Sequence, residues 1–158
     1  MTEPEIIFQI DEPFLKDVQP DPIRRALTLT LTYFSQTDSQ TLNIIITDND
    51  TIQQLNYQYR GINAPTDVLS FENIADPGFP GIEPGYLGDV ILAYPVAETQ
   101  AQVSGHATME EITLLAVHGT LHLLGFDHNT PTNKQKMWAA QHKILTELGL
   151  AHVQPTEN

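Results

Sequence analysis

His118-Gly119-Thr120-Leu121-His122-Leu123-Leu124-Gly125-Phe126-Asp127-His128 packs three of the chain's six histidines into eleven residues. His118 and His122 are four apart, so on a helix they leave one face, one turn above the other. Gly125 supplies the left-handed residue at which a helix ends and the chain turns back. That turn carries His128 toward the first two rings. The expected product is three imidazoles around one point with one coordination position open, as in catalytic rather than structural zinc sites. An isolated H-x-x-x-H pair says little. The third histidine, just past a helix-stopping glycine, is what makes His118, His122 and His128 candidate metal ligands.

The surroundings of this run set the fold. Ile112, Leu115, Ala116, Val117, Leu121 and Leu124 make its helix apolar on most sides, which predicts a buried central helix. Thr108 with Glu111 reads as its capping box. Buried neutral imidazoles need polar partners, and a metal supplies them. Upstream, Ile6, Phe8 and Ile10 alternate as a strand. Asp21-Pro22 reads as N-cap and first residue of a helix carrying Ile23, Ala26, Leu27, Leu31 and Phe34. Leu42 to Thr47 is a branched apolar run suited to a strand covered on both faces. Asp48, Asn49 and Asp50 are each plausible caps of a helix that Gly61 stops, with Arg60 in its last turn.

Val68 to Phe71 and Asp89 to Ala93 read as strands. Between them Asp76 to Gly88, rich in proline and glycine, is the longest loop, either a binding lid or a wide hairpin connection. Pro95 opens a helix through about Val103, and Thr130-Pro131 opens a last one that Gly149 stops. The tail 151–158 is expected to fray. The order β-α-β-α-β-β-α-α-α predicts an α+β fold. Its four-stranded mixed sheet packs with about five helices, and a metzincin-like central helix carries the metal histidines.

A length of 158 residues suggests one domain over 1–158, large enough to hold a core without a metal. The absence of cysteine excludes disulfides, thiolate ligands and cysteine nucleophiles, and fits a cytoplasmic protein. Met1 to Glu5 is acidic and does not resemble a signal peptide. No apolar run approaches the ~20 residues that span a bilayer, so no membrane partner is expected. A net charge of −13 argues against a broad electrostatic footprint on nucleic acid. A nucleic-acid enzyme this acidic needs a precise pocket or a docking partner.

The histidine spacing matches the metzincin peptidase pattern H-E-x-x-H-x-x-G-x-x-H except that Gly119 stands where its general-base glutamate belongs. Peptide hydrolysis by that route lacks its proton acceptor, and Glu110 and Glu111 lie two turns away. Phosphodiester cleavage fits better, because a metal polarises a phosphoryl oxygen while an arginine holds the same group bidentately. The arginines are Arg24, Arg25 and Arg60. Arg24 and Arg25 read as a solvated helix face, which leaves Arg60, at a helix end beside a loop, as the candidate catalytic residue.

His118-Gly-Thr-Leu-His122-Leu-Leu-Gly-Phe-Asp-His128 resembles the signature H-G-x-L-H-L-x-G-[YF]-D-H of the YbeY endoribonuclease family. Leu55-Asn56 with Tyr59-Arg60-Gly61, leading into Thr66-Asp67-Val68-Leu69-Ser70-Phe71, resembles it too, as does Leu87-Gly88-Asp89-Val90. The likeness runs from Ile44 to about Leu148. It implies a single-strand-directed, metal-dependent endoribonuclease of 16S rRNA 3′-end maturation and ribosome quality control. It implies one zinc ion on His118, His122 and His128 with a water in the fourth position, and Arg60 facing the RNA phosphate. The implied partners are single-stranded RNA, rRNA, the small ribosomal subunit and its assembly proteins. Thr66, Asp67 and Asp89 match motif positions and read as turn, cap or supporting residues. Asp127 reads as orienting a ligand imidazole or as a turn residue.

Two positions depart from the pattern. Tyr94 stands where a small hydroxyl residue is more usual, and Gln141 stands where an acid is frequent, with no role following from it. Met137 reads as core. Two competing readings remain: a metallohydrolase of peptidase type, and a non-enzymatic ribosome-assembly factor with structural zinc. Three imidazoles also suit nickel, copper or iron.

Overall fold

The computed structural model describes residues 3–35, 40–72 and 85–154. The elements are β1 (Glu5–Ile10), α1 (Pro20–Phe34), β2 (Thr41–Thr47), α2 (Asn49–Arg60), β3 (Val68–Glu72), β4 (Tyr86–Ala93), α3 (Tyr94–Ser104), α4 (Thr108–Leu123) and α5 (Pro131–Glu147). A short 3-10 turn, Glu12–Phe14, follows β1. The expected α+β architecture is present: a four-stranded mixed sheet in the order β1-β2-β4-β3. β1, β2 and β4 run parallel, and β3 closes one edge antiparallel to β4.

Strand alternation divides the apolar residues between two layers. Leu42, Ile44, Ile46, Val90 and Leu92 face the larger core, built with Ile23 and Leu27 of α1, Val117 and Leu121 of α4, and Met137 and Ile144 of α5. Ile45, Leu69, Ile91 and Ala93 face the other way and pack on Ile52 and Leu55 of α2. β2 is therefore covered on both sides, as its branched apolar run requires. α4 is the central helix, with eleven of its sixteen residues buried.

Several boundaries differ from expectation for local physical reasons. Asp21 is not the N-cap of α1. The helix already begins at Pro20, whose fixed φ suits a first turn, and Asp21 instead pairs with Arg24 at 2.7 Å. Among the three candidate caps of α2, Asp48 acts, its carboxylate accepting from Thr51 N at 2.8 Å. The box on α4 is closed by Glu110, not Glu111. Thr108 is already helical, so the third helical position is Glu110, which accepts from Ala107 N at 2.9 Å. Glu111 is fully buried and lies 2.5 Å from His106 Nε2.

β4 begins at Tyr86 rather than Asp89, with Gly88 inside the strand. Gly88 has φ +144, and a Cβ there would sit 2.1 Å from the Phe71 carbonyl oxygen across the β3–β4 pair, so only glycine fits. Positions 76–84 of the expected long loop lie outside the described residues. The tail holds on further than expected, since Val153 is 2% exposed against Leu114 and Leu145. Positions 155–158 lie outside the described residues. Among the described residues no helix is long and apolar enough to cross a membrane.

Candidate active site

The end of α4 builds the histidine cluster. Gly125 adopts φ 100. Phe126 N donates to Leu121 O at 3.0 Å and Gly125 N to His122 O at 3.0 Å, a Schellman turn closing the helix. The same turn brings the Phe126 carbonyl to His122, where it accepts from Nδ1 at 3.0 Å. Nδ1 of His118 meets the side-chain oxygen of Gln141 on α5. Carbonyl oxygens only accept, so each Nδ1 carries the proton and each Nε2 keeps a lone pair. Those two Nε2 atoms lie 3.1 Å apart. The ring of His128 is 5.1 Å from that of His122, and one ligand atom from each of the three residues lies within 4.8 Å of the others.

Burial, with the neighbouring His122 next, lowers the pKa of His118 to about 4. Burial and the nearby His128 also lower that of His122. Both rings are neutral at pH 7. Lone pairs converging this closely repel one another unless something positive lies between them. The donor set therefore fits a small divalent cation. Asp127 takes the turn role: its carboxylate accepts from the His128 backbone N–H at 2.7 Å.

Gly119 has a packing cause. A Cβ there would lie 2.7 Å from Val90 Cγ1, 3.0 Å from Ser70 Oγ and 3.2 Å from Val68 Cγ2. Ser70 Oγ also donates to the Gly119 carbonyl at 2.9 Å. The histidine helix thus lies flush on β3 and β4, with no room for the glutamate of a peptidase. Met137, fully buried, is core as expected.

The cluster opens into a cleft of about 960 Å³. β3 forms one wall, α4 and the 125–128 turn the floor, and α5 contributes Lys134 and Trp138. Arg60 and Tyr59, both exposed, reach the cleft from the end of α2, where Gly61 turns the chain at φ 73. Arg60 and the histidines thus line one cavity, although they are 58 positions or more apart in sequence. Arg24 is occupied elsewhere, paired with Asp21 and lying 5.0 Å over the Phe8 ring. Arg25 is exposed on α1.

Thr66 and Asp67 also line the cleft. Asp67 is held by Val68 N at 2.8 Å and Gln100 Nε2 at 3.3 Å. Asp89 is not part of the cleft lining and accepts from Asn43 at 3.0 Å and from the Tyr86 hydroxyl. Burial, with the Asp89 bond second, pushes Tyr86 up to about 12.

Three residues of the site gave no functional signal in the sequence. Gln141 needs a tertiary contact to acquire meaning. Lys134 and Trp138 sit in the last helix, where nothing in the sequence marks them for chemistry. Folded, Lys134 Nζ lies 5.5 Å over the Trp138 ring, and that ring is 5.7 Å from those of both His118 and His128. The i, i+4 spacing of Lys134 and Trp138 was the one available hint.

The profile of the family described as Endoribonuclease YbeY matches residues 9–149. Curated relatives of that name include one from Roseiflexus sp., 37% identical over 95% of this chain and 96% of its own length. Others come from Geobacillus kaustophilus, 39% identical over 84% and 88%, and from Brevibacillus brevis, 42% identical over 68% and 74%. The solution structure of TM1509 from Thermotoga maritima superposes with a TM-score of 0.55 over 91% of this chain and 90% of that one, at 23% identity. It shares the fold.

Proposed function

The chain belongs to the Endoribonuclease YbeY family, and on that premise we propose that it is a metal-dependent hydrolase cutting single-stranded RNA, in the maturation of the 16S rRNA 3′ end and in ribosome quality control. One domain spanning the chain carries the activity. The compartment is the cytoplasm, and the partners are rRNA, the small ribosomal subunit and its assembly proteins. The observation that carries this reading is the placement of Arg60 and three converging imidazoles on one cleft.

His118, His122 and His128 would hold the metal, proposed to be a single zinc ion with water in the remaining position. Bound there, it supplies Lewis-acid polarisation of a phosphoryl oxygen and lowers the pKa of a coordinated water. The protein's own part is to place the phosphodiester. The guanidinium of Arg60 offers a planar pair of donors to the non-bridging oxygens and stabilises the charge that grows on them. Among the described residues no carboxylate pairs with it, so it is available to an anion. Asp67, Glu72 and Asp127 also line the cleft. Their charge would disfavour a phosphate placed away from Arg60. The narrow Gly119 contact keeps a carboxylate out of the position beside His118, consistent with phosphodiester rather than peptide chemistry.

The test is cleavage of a labelled single-stranded RNA by Zn2+-loaded wild type beside Arg60→Ala and His118→Ala prepared identically. Loss in both variants, with Arg60→Ala still folded and metal-loaded, supports the reading. Equal cleavage by all three would place the activity in a contaminant and leave an assembly factor with structural metal.

A further inference from the structure

Gln141 is 1% exposed, and its carbonyl oxygen is set against Nδ1 of His118. Its amide nitrogen is equally buried and has no hydrogen-bond partner among the described residues. An orphaned buried donor is a net cost to the fold. Leucine or methionine would fill similar space at this position on α5 without that cost. What neither apolar residue supplies is the acceptor.

We infer that Gln141 is a positioning residue of the metal centre, whose carbonyl oxygen accepts from Nδ1–H of His118 and so holds that imidazole with Nε2 turned to the metal. The inference rests on the metal reading of the three histidines. Two of them are held alike, but by different means. His122 is held by the Phe126 carbonyl, which the helix-ending turn provides from four residues away. His118 lies a full turn back from that end, inside the helix. Its acceptor therefore comes from another element, 23 residues on. An unanchored imidazole divides between two tautomers and several ring angles, and only part of that population presents Nε2 to the cluster. An amide suits the place because its oxygen accepts without carrying a full charge into the core.

The experiment has two readouts, neither of which is RNA cleavage. The first is the ring-nitrogen NMR of His118 in metal-free wild type, Gln141→Leu and Gln141→Glu. The second is Zn2+ titration followed by the emission of Trp138, the chain's sole tryptophan, whose ring is 5.7 Å from that of His118. Wild type and Gln141→Glu keep the proton on Nδ1 and bind Zn2+ comparably. Gln141→Leu shows mixed tautomers and binds about 10–100-fold more weakly, the usual loss when a partner of a ligand imidazole is removed. If Gln141→Leu does not fold, Gln141→Met takes its place.

An unchanged tautomer and unchanged midpoint in the apolar variant would overturn the inference, as would equal weakening in Gln141→Glu, which would mean that Gln141 only packs. Either result leaves the metal reading standing. Wild type that binds no Zn2+ would sink both.

Discussion

α4 and α2 both end at the cleft, and both end on a left-handed glycine, Gly125 at φ 100 and Gly61 at φ 73. Around Gly125 two of the three imidazoles are fixed before any ligand arrives. His118 and His122 are partly buried, and each has its Nδ1 engaged by a carbonyl oxygen. Around Gly61 the functional groups are in water: Arg60 is exposed, and Tyr59 beside it is 61% exposed with its ring 5.0 Å from that of Phe71. One bank is preorganised, and the other is left with freedom to adapt. A cation site needs the first, because ligand geometry must survive without the cation. The phosphate of the proposed RNA strand would be served by the second, because a long guanidinium stem can follow it.

The contrast breaks most completely at His118. His118→Ala should bring cleavage to background and lower metal content measured by mass spectrometry, whereas an Arg60 variant keeps its metal. Metal loss in both would mean that the banks are not separable. Next comes Gly119→Glu. The added side chain meets Val90 at 2.7 Å from its first atom, so the preorganised bank should lose about 3 kcal/mol or more in urea unfolding. A soluble, fully stable Gly119→Glu protein would show that α4 floats off β4 more freely than its packing implies.

The third test uses acid on the metal-free protein. The native pKa of His118 is about 4 and its ordinary value 6.5, so between those values the unfolded chain takes up a proton that the native chain refuses. Stability is full above pH 6.5 and falls as pH drops toward 4, by at most roughly 3 kcal/mol from this group. A flat profile over that window, followed by denaturant unfolding, would contradict the burial of the ring.

Arg60→Ala should lower kcat/KM about 100-fold, some 2.7 kcal/mol of transition-state stabilisation, with Arg60→Lys recovering part of it. Asp48→Ala, which removes the cap at the far end of α2, should cost about 1 kcal/mol of stability while leaving Zn2+ affinity unchanged.

The preorganised bank was largely legible in the sequence and the solvated one only partly, because legibility follows sequence distance. The spacing of His118 and His122 and the stop at Gly125 lie within one helix and its turn, so periodicity and turn chemistry reach them. The order of strands and helices was readable for the same reason. Gln141 was not, since its meaning comes from a partner 23 residues away. Gly88 read as loop because a glycine inside a strand declares itself only through the Phe71 carbonyl on the neighbouring strand. Glu111 reads as a cap in the sequence because a one-residue shift in the start of α4 exchanges the third and fourth positions. Arg60 was picked out by its place at a helix end, but only the fold sets it on the same cleft as the histidines.

The fit of Gly119 against the sheet also bears on how such a chain can change over generations. The peptidase pattern is a single residue away in the histidine motif, yet that substitution arrives where Val90, Ser70 and Val68 already occupy the space. Those neighbours would have to shrink first, each loosening the core before any new activity repaid it. A change from this motif toward the other would therefore meet a stability barrier at the sheet, although the metal ligands of the two are spaced alike.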